Sequence, residues 1–205
     1  AYDLKAGTVG LKPGINNAAV DHFRIRVHGK STHVSTPHLG VDALYIASQI
    51  VVSVQGLVTR RTSPTEPVII GIGKLNAGTT YNAVAEYAEL EGTTRTISQE
   101  SRDRVRAQVS ETAQSIAALY GGTAEIEWTD FAAALINDPQ VCREAAEVVD
   151  ELLGAGHVVT DRELSLSGDN FAEFELYKPG AYAYLGTGNP DKPHTVISNH
   201  NGGFD

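Results

Sequence analysis

His22-Phe23-Arg24-Ile25-Arg26-Val27-His28 alternates without a break between apolar side chains and polar or charged ones. A period of two puts Phe23, Ile25 and Val27 on one side of an extended chain and His22, Arg24, Arg26 and His28 on the other, the pattern of a half-buried strand. Beyond the polar loop from Gly29 to Gly40 the period changes. Leu44, Ala47, Val51, Val54 and Val58 recur at helical spacing, and Arg60 and Arg61 stand where cations suit a helix C-terminus. Val68, Ile69, Ile70, Ile72 and Leu75 predict a second strand. Asn76-Ala77-Gly78 supplies a turn, and a third strand is predicted from Asn82 to Arg95. A second helix opens near Ser98, carries Val105, Val109, Thr112, Ile116 and Leu119 as its stripe, and stops at Gly121-Gly122. Ala124, Ile126 and Trp128 then alternate against Glu125 and Glu127 as a fourth strand.

Strand, helix, strand, strand, helix, strand over residues 21–130 is the split βαβ order of a ferredoxin-like domain, so the fold class is α+β. Right-handed crossovers place the first and third strands in the middle, antiparallel, with the second and fourth at the edges. An edge as apolar as Val68 to Leu75 invites pairing with another chain, because its outward backbone groups lack partners. Residues 1–20, with Gly7, Gly10 and Gly14, read as an irregular opening segment of another domain. Residues 131–205 change character. A helix starts at Asp138-Pro139, carries Val141, Ala145, Val148 and Leu152, and ends at Gly154; a short strand follows from Ala181 to Leu185. This piece is too small to hold a core by itself and is expected to be part of a larger α/β domain.

A chain of 205 residues with 41% hydrophobic and 20% charged residues has the composition of a globular protein. A net charge of -9 disfavours a phosphate-backbone partner, which requires clustered Lys and Arg. No apolar run is long enough to span a bilayer and no signal segment opens the chain, so no membrane partner and a cytoplasmic location are expected. The single cysteine, Cys142, excludes an internal disulfide and reads as a small buried side chain. The chain holds no methionine and opens on Ala1, so both ends are expected to be cuts in something longer.

Four stretches resemble the aminoacylase and carboxypeptidase metallohydrolases, in particular their N-acyl-amino-acid amidohydrolases such as hippurate hydrolase. Gly29-Lys30-Ser31-Thr32-His33-Val34-Ser35-Thr36-Pro37-His38 resembles the family's glycine-histidine-proline-histidine loop. Asn82-Ala83-Val84-Ala85 resembles Asn-Val-Ile-Pro, and Gly92-Thr93-Thr94-Arg95 matches Gly-Thr-x-Arg. Ser167-Gly168-Asp169-Asn170-Phe171, Pro179-Gly180 and the stretch from His200 to Phe204 resemble the end of the catalytic domain. All four are colinear over roughly residues 5–205, which makes the set more specific than any member.

The resemblance implies a dimerisation domain followed by the C-terminal part of a catalytic domain that holds two metal ions, zinc with manganese or cobalt as alternatives. It implies that His33 and Asn82 are catalytic, stabilising the transition state, that Arg95 binds the substrate carboxylate, and that His200 is a metal ligand. It also implies a homodimer acting on N-acyl amino acids or short peptides. The family's other ligands and its general base would lie upstream of this chain, and a hydrolytic zinc needs about three protein ligands, so the chain alone is expected to be inactive. Ser31 and Thr32 replace family glycines, Ala85 replaces the proline, and Asp169-Asn170 replaces Glu-Asp.

Plainer readings stand beside these. His33 alone is a solvated loop residue, Asn82 a turn residue, and Arg95 an exposed cation before a helix. A guanidinium is nevertheless the natural bidentate partner of a carboxylate. His38 reads as structural at the start of the first helix, His22 and His28 as inert, and His194 as part of a polar tail. A non-catalytic dimerisation or scaffold module is the rival hypothesis. A ferredoxin-like RNA binder is disfavoured by the acidic charge and by the lack of paired aromatics on a central strand.

Overall fold

The structure, a computed structural model, describes residue 1 and residues 3–189. Its elements in chain order are β1 (Val9–Gly10), β2 (Gly14–Asn17), β3 (Ala19–His28), α1 (Ala43–Gly56), β4 (Ile69–Ala77), β5 (Tyr87–Thr96) and α2 (Gln99–Leu119). They continue with β6 (Thr123–Ala132), β7 (Leu135–Asn137), α3 (Pro139–Leu153), β8 (Val158–Val159), α4 (Ala172–Glu175) and β9 (Tyr184–Leu185). The chain divides into two units. One comprises Ala18–Ala133 with Leu166–Gly168; the other comprises Ala1–Asn17, Ala134–Ser165 and the described residues from Asp169.

The first unit is a four-stranded sheet in the order β4-β5-β3-β6 with every neighbouring pair antiparallel. Helices α1 and α2 cover one face. Phe23, Ile25 and Val27 of β3 and Ala88 and Leu90 of β5 pack there against Ile46, Ile50 and Val54 of α1 and Val105 and Val109 of α2. Gly92 is the one inward position of β5 where no side chain fits. A Cβ there would stand 2.3 Å from Cζ of Phe23 and 2.5 Å from the Gly71 carbonyl. The glycine of Gly92-Thr93-Thr94-Arg95 thus makes room for the buried Phe23 ring.

Sequence patterning misses three details of this unit. The third strand begins at Tyr87, not Asn82. In α1 the buried side chains are Ala43, Ile46, Ala47, Ile50 and Val54, while Leu44 is 46% exposed. The helix is apolar over more of its circumference than the sheet can cover, and the surplus lies to one side. In α2, Ala113 and Ala117 take the innermost positions and Leu119 is exposed.

The second unit has a small sheet ordered β8-β1-β9 and a β2-β7 pair. Asp138 caps α3, accepting from the N–H groups of Gln140 and Val141 at 2.8 and 3.0 Å. Along α3 only Cys142 is buried, and Val148, Leu152 and Leu153 are exposed. Burial holds the Cys142 thiol above its usual pKa, so it is a packing residue rather than a nucleophile. The late strand is shorter than its apolar run suggested, with Tyr184–Leu185 alone paired. No helix among the described residues is long and apolar enough to cross a membrane.

Candidate functional site

The His33 loop is pinched shut at its base. Lys30 and Val41 exchange backbone hydrogen bonds at 2.8 and 2.9 Å. Gly29 makes that closure possible, since a Cβ there would lie 2.2 Å from the Val41 carbonyl oxygen and 3.1 Å from the Ala43 nitrogen. Inside the loop, the Thr36 N–H donates to the His33 carbonyl at 2.9 Å, and Pro37–Leu39 form a 3₁₀ turn. Asp42 then caps α1 by accepting from the N–H groups of Leu44 and Tyr45. His38, expected to orient the start of that helix, is exposed in the 3₁₀ turn, and Asp42 performs the task. Carboxylates satisfy orphan N–H groups better than an imidazole does.

Asn82 belongs to a segment that folds back onto this loop. The Val34 N–H donates to the Asn82 carbonyl at 3.2 Å, the Val84 N–H to the Thr32 carbonyl at 2.8 Å, and His33 bridges Ala83. Further along, the Ala43 and Gly29 N–H groups donate to the carbonyls of Ala85 and Glu86, each at 2.8 Å. His33 and Asn82 are therefore brought together at one end of the four-stranded sheet, in a short ladder of their own. The Thr80 hydroxyl donates to Oδ1 of Asn82 at 3.2 Å, which leaves the Asn82 amide N–H groups as its free donors.

Arg95 sits at the opposite end of β5, paired in register with Val20 and Ile69. On the strand itself it is eight residues past Tyr87, about 26 Å at about 3.3 Å per residue. A straight strand from Asn82 would have put it about 40 Å away; the early turn of the chain shortens the span. Partial burial pulls the Arg95 guanidinium below its usual pKa, and no carboxylate among the described residues pairs with it. The other cations on this face are paired. Lys74 meets Glu91 at 2.6 Å, Arg26 meets Glu127 at 3.0 Å and Arg24 meets Glu91 at 3.6 Å. His22 contacts Glu91 at 3.2 Å and His28 packs on Tyr87.

His200, the metal-ligand candidate, and His194 lie outside the described residues. Among the described residues no three His, Cys, Asp or Glu side chains converge as a metal site would require. Asp169 accepts from the Phe171 N–H at 2.9 Å and starts the turn into α4, a structural role. Two features were not anticipated from the sequence: the contact of Ser35 with the His33 ring, at 2.7 Å, and the Thr80 hydroxyl on Asn82. Both are small hydroxyl residues in turns, where Ser and Thr are common for other reasons, so nothing distinguished them.

Residues 17–120 match the family model of the peptidase dimerisation domain. The chain is 35% identical over 197 residues to N-acetyl-L-cysteine deacetylase of Bacillus subtilis, an alignment covering 96% of this chain and 47% of that enzyme. The crystal structure of a Bacillus subtilis dinuclear metal binding peptidase from the M20 family matches with a TM-score of 0.74 and 31% identity, over 91% of this chain and 46% of that one. A methicillin resistant Staphylococcus aureus structure, described as a candidate aminohydrolase, matches with a TM-score of 0.85 and 25% identity, over 100% of this chain and 51% of that one. The chain spans about half the length of the curated relatives it matches.

Proposed function

The chain belongs to the M20 peptidase family through its dimerisation domain, and from that premise we propose that it serves a metal-dependent hydrolase of amide bonds in N-acyl amino acids or short peptides. The observation that carries this reading is the separation of two kinds of binding group on one sheet. At one end the His33–Asn82 ladder offers N–H donors; at the other, Arg95 offers a guanidinium with no carboxylate partner among the described residues. Donors of the first kind suit an oxyanion developing on a scissile carbonyl. The guanidinium suits the carboxylate of the substrate's amino-acid half, which it can hold with two parallel hydrogen bonds.

One compact substrate cannot touch both ends of one sheet. His33 and Asn82 therefore reach into the cleft of the partner subunit, and Arg95 serves the cleft of its own chain. The two copies join through the β4 edge. On α1, Leu44, Ser48, Val51 and Gln55 share one side by helical spacing, and the Gln55 amide donates to the Ile70 carbonyl of β4 at 3.2 Å. The exposed Leu44 thus flanks the free edge, and backbone pairing and apolar burial would proceed together.

Two metal ions, zinc or alternatively manganese or cobalt, belong to this reading, with His200 as one ligand. The described residues do not form a site for them, and in this reading the remaining ligands lie outside those residues. A cytoplasmic location accords with the single buried cysteine. The test is an assay of the complete, metal-loaded protein on N-acyl amino acids and dipeptides, beside metal analysis of the dialysed 205-residue chain. Turnover by the complete protein only is expected. A complete protein inert on both substrate classes would overturn the hydrolase reading, and stoichiometric zinc with turnover in the short chain would overturn its dependence on further ligands.

A further inference from the structure

We propose that Ser35 is a positioning residue that fixes the proton of the neutral His33 ring on Nε2, leaving the ring with a single donor directed out of the loop. The main-chain N–H of Ser35 lies 3.2 Å from Nδ1 of His33 and the Ser35 hydroxyl lies 2.7 Å from the same nitrogen. A backbone N–H can only donate, so Nδ1 must present its lone pair. The hydroxyl is then confined to donating as well. A neutral imidazole carries one N–H and one lone pair, and with Nδ1 used as the acceptor the hydrogen belongs to Nε2. The opposite tautomer would set the ring N–H against the Ser35 N–H, two donors facing each other with no acceptor between them.

The rest of the loop supports that alignment. The Thr36 N–H and hydroxyl both donate to the His33 carbonyl, at 2.9 and 3.2 Å, and the Thr32 and Thr36 hydroxyls meet at 3.2 Å. These bonds wrap residues 32–36 into a turn that brings Ser35 back beneath the ring. His33 is exposed, so no core packing orients it, and the contacts to Ser35 are what hold the ring. No group among the described residues bonds to Nε2. The consequence for chemistry rests on the reading that His33 donates to a developing oxyanion. Such a donor is most effective when its hydrogen is placed before the reaction begins.

The ring itself can be observed in the 205-residue chain, without turnover. With ¹⁵N-labelled histidine at a pH where imidazoles are neutral, long-range ¹H–¹⁵N correlation should show His33 Nδ1 as an unprotonated nitrogen and Nε2 as a protonated one. His33→Gln identifies the signals. Ser35→Ala keeps the 3.2 Å main-chain contact but loses the shorter one from the hydroxyl, so it should move the two nitrogen shifts part of the way toward each other, and Ser35→Thr should hold them near wild type. In the complete enzyme, Ser35→Ala should lower kcat about threefold to tenfold with KM little changed, and Ser35→Thr should recover most of the loss. A protonated Nδ1 in the wild type overturns the tautomer assignment; shifts unmoved by Ser35→Ala overturn the part given to the Ser35 hydroxyl, because the main-chain N–H remains in that variant. Shifts that move while kcat does not would overturn the positioning role. If His33→Ala leaves activity intact while the ring signals behave as expected, the catalytic reading of His33 fails and the tautomer assignment stands.

Discussion

The main-chain N–H of Val34 donates to the carbonyl of Asn82 at 3.2 Å, tying two loops that are far apart in sequence into one ladder beyond the end of the sheet. The ladder depends on the pinch at Gly29. Gly29→Ala would drive a methyl into the Val41 carbonyl, a backbone atom that cannot turn aside. The variant should lose about 1–3 kcal/mol in denaturant unfolding and lose activity in the complete enzyme out of proportion to its stability. Full activity in a folded Gly29→Ala enzyme would show that this loop is not part of the site.

Arg102 of α2 and Asp21 of β3 form a buried ion pair, with Arg102 Nη2 2.6 Å from Oδ1 and Nε 3.0 Å from Oδ2 of the carboxylate. Removing one partner strands a buried charge. Arg102→Ala should cost about 3–5 kcal/mol of unfolding free energy, and joint replacement by Asp21→Val with Arg102→Met should recover much of it. Equal losses in the single and double variants would mean that packing, not charge, holds α2 to the sheet.

This pair also marks how far the sequence could be read. Strand order, helix order and the buried set on β3 follow from periodicity, because a period of two and a period of 3.6 leave different traces. Asp21 breaks the apolar parity of Phe23, Ile25 and Val27, and Arg102 stands three residues before Val105 on the inner stripe of α2. Two opposite charges at core positions were a readable signal of a buried pair. The start of the third strand was not readable, since Asn82 to Ala85 looks like part of the strand, but Asn82 lies in a turn and Ala83 bridges the His33 loop instead of the sheet. Tertiary hydrogen bonds decide that choice, and local pattern does not record them.

Dimer formation is predicted to depend on the exposed flank of α1. Leu44→Glu leaves the monomer core untouched, because Leu44 is outside the buried set of the helix. It should raise the dimer dissociation constant at least about tenfold, since Leu44 is about half exposed before association and the two protomers together would lose apolar burial worth roughly 1.5–3 kcal/mol. Sedimentation at micromolar concentration is the check; an unchanged dimer would place the interface elsewhere.

Acid should weaken the first unit through Glu66. The Ser101 hydroxyl and the Arg104 guanidinium both bond to its carboxylate and hold its pKa below the usual range. A carboxyl whose pKa is depressed on folding contributes stability above its unfolded-state pKa and loses it as pH falls through the folded value. Wild type should therefore lose more stability than Glu66→Gln between pH 7 and about pH 3. Parallel losses in the two proteins would remove Glu66 from the acid response.

The shared-site geometry is tested most directly by mixing subunits of the complete enzyme, His33→Ala with Arg95→Ala, each inactive as its own homodimer. In a mixed dimer one cleft would keep both groups and the other would lose both. Random exchange makes half the dimers mixed with one working cleft each, so activity should recover to about a quarter of wild type. Mixed dimers that stay inactive, with subunit exchange verified by mass, would contradict the assignment of His33 and Asn82 to the partner's cleft.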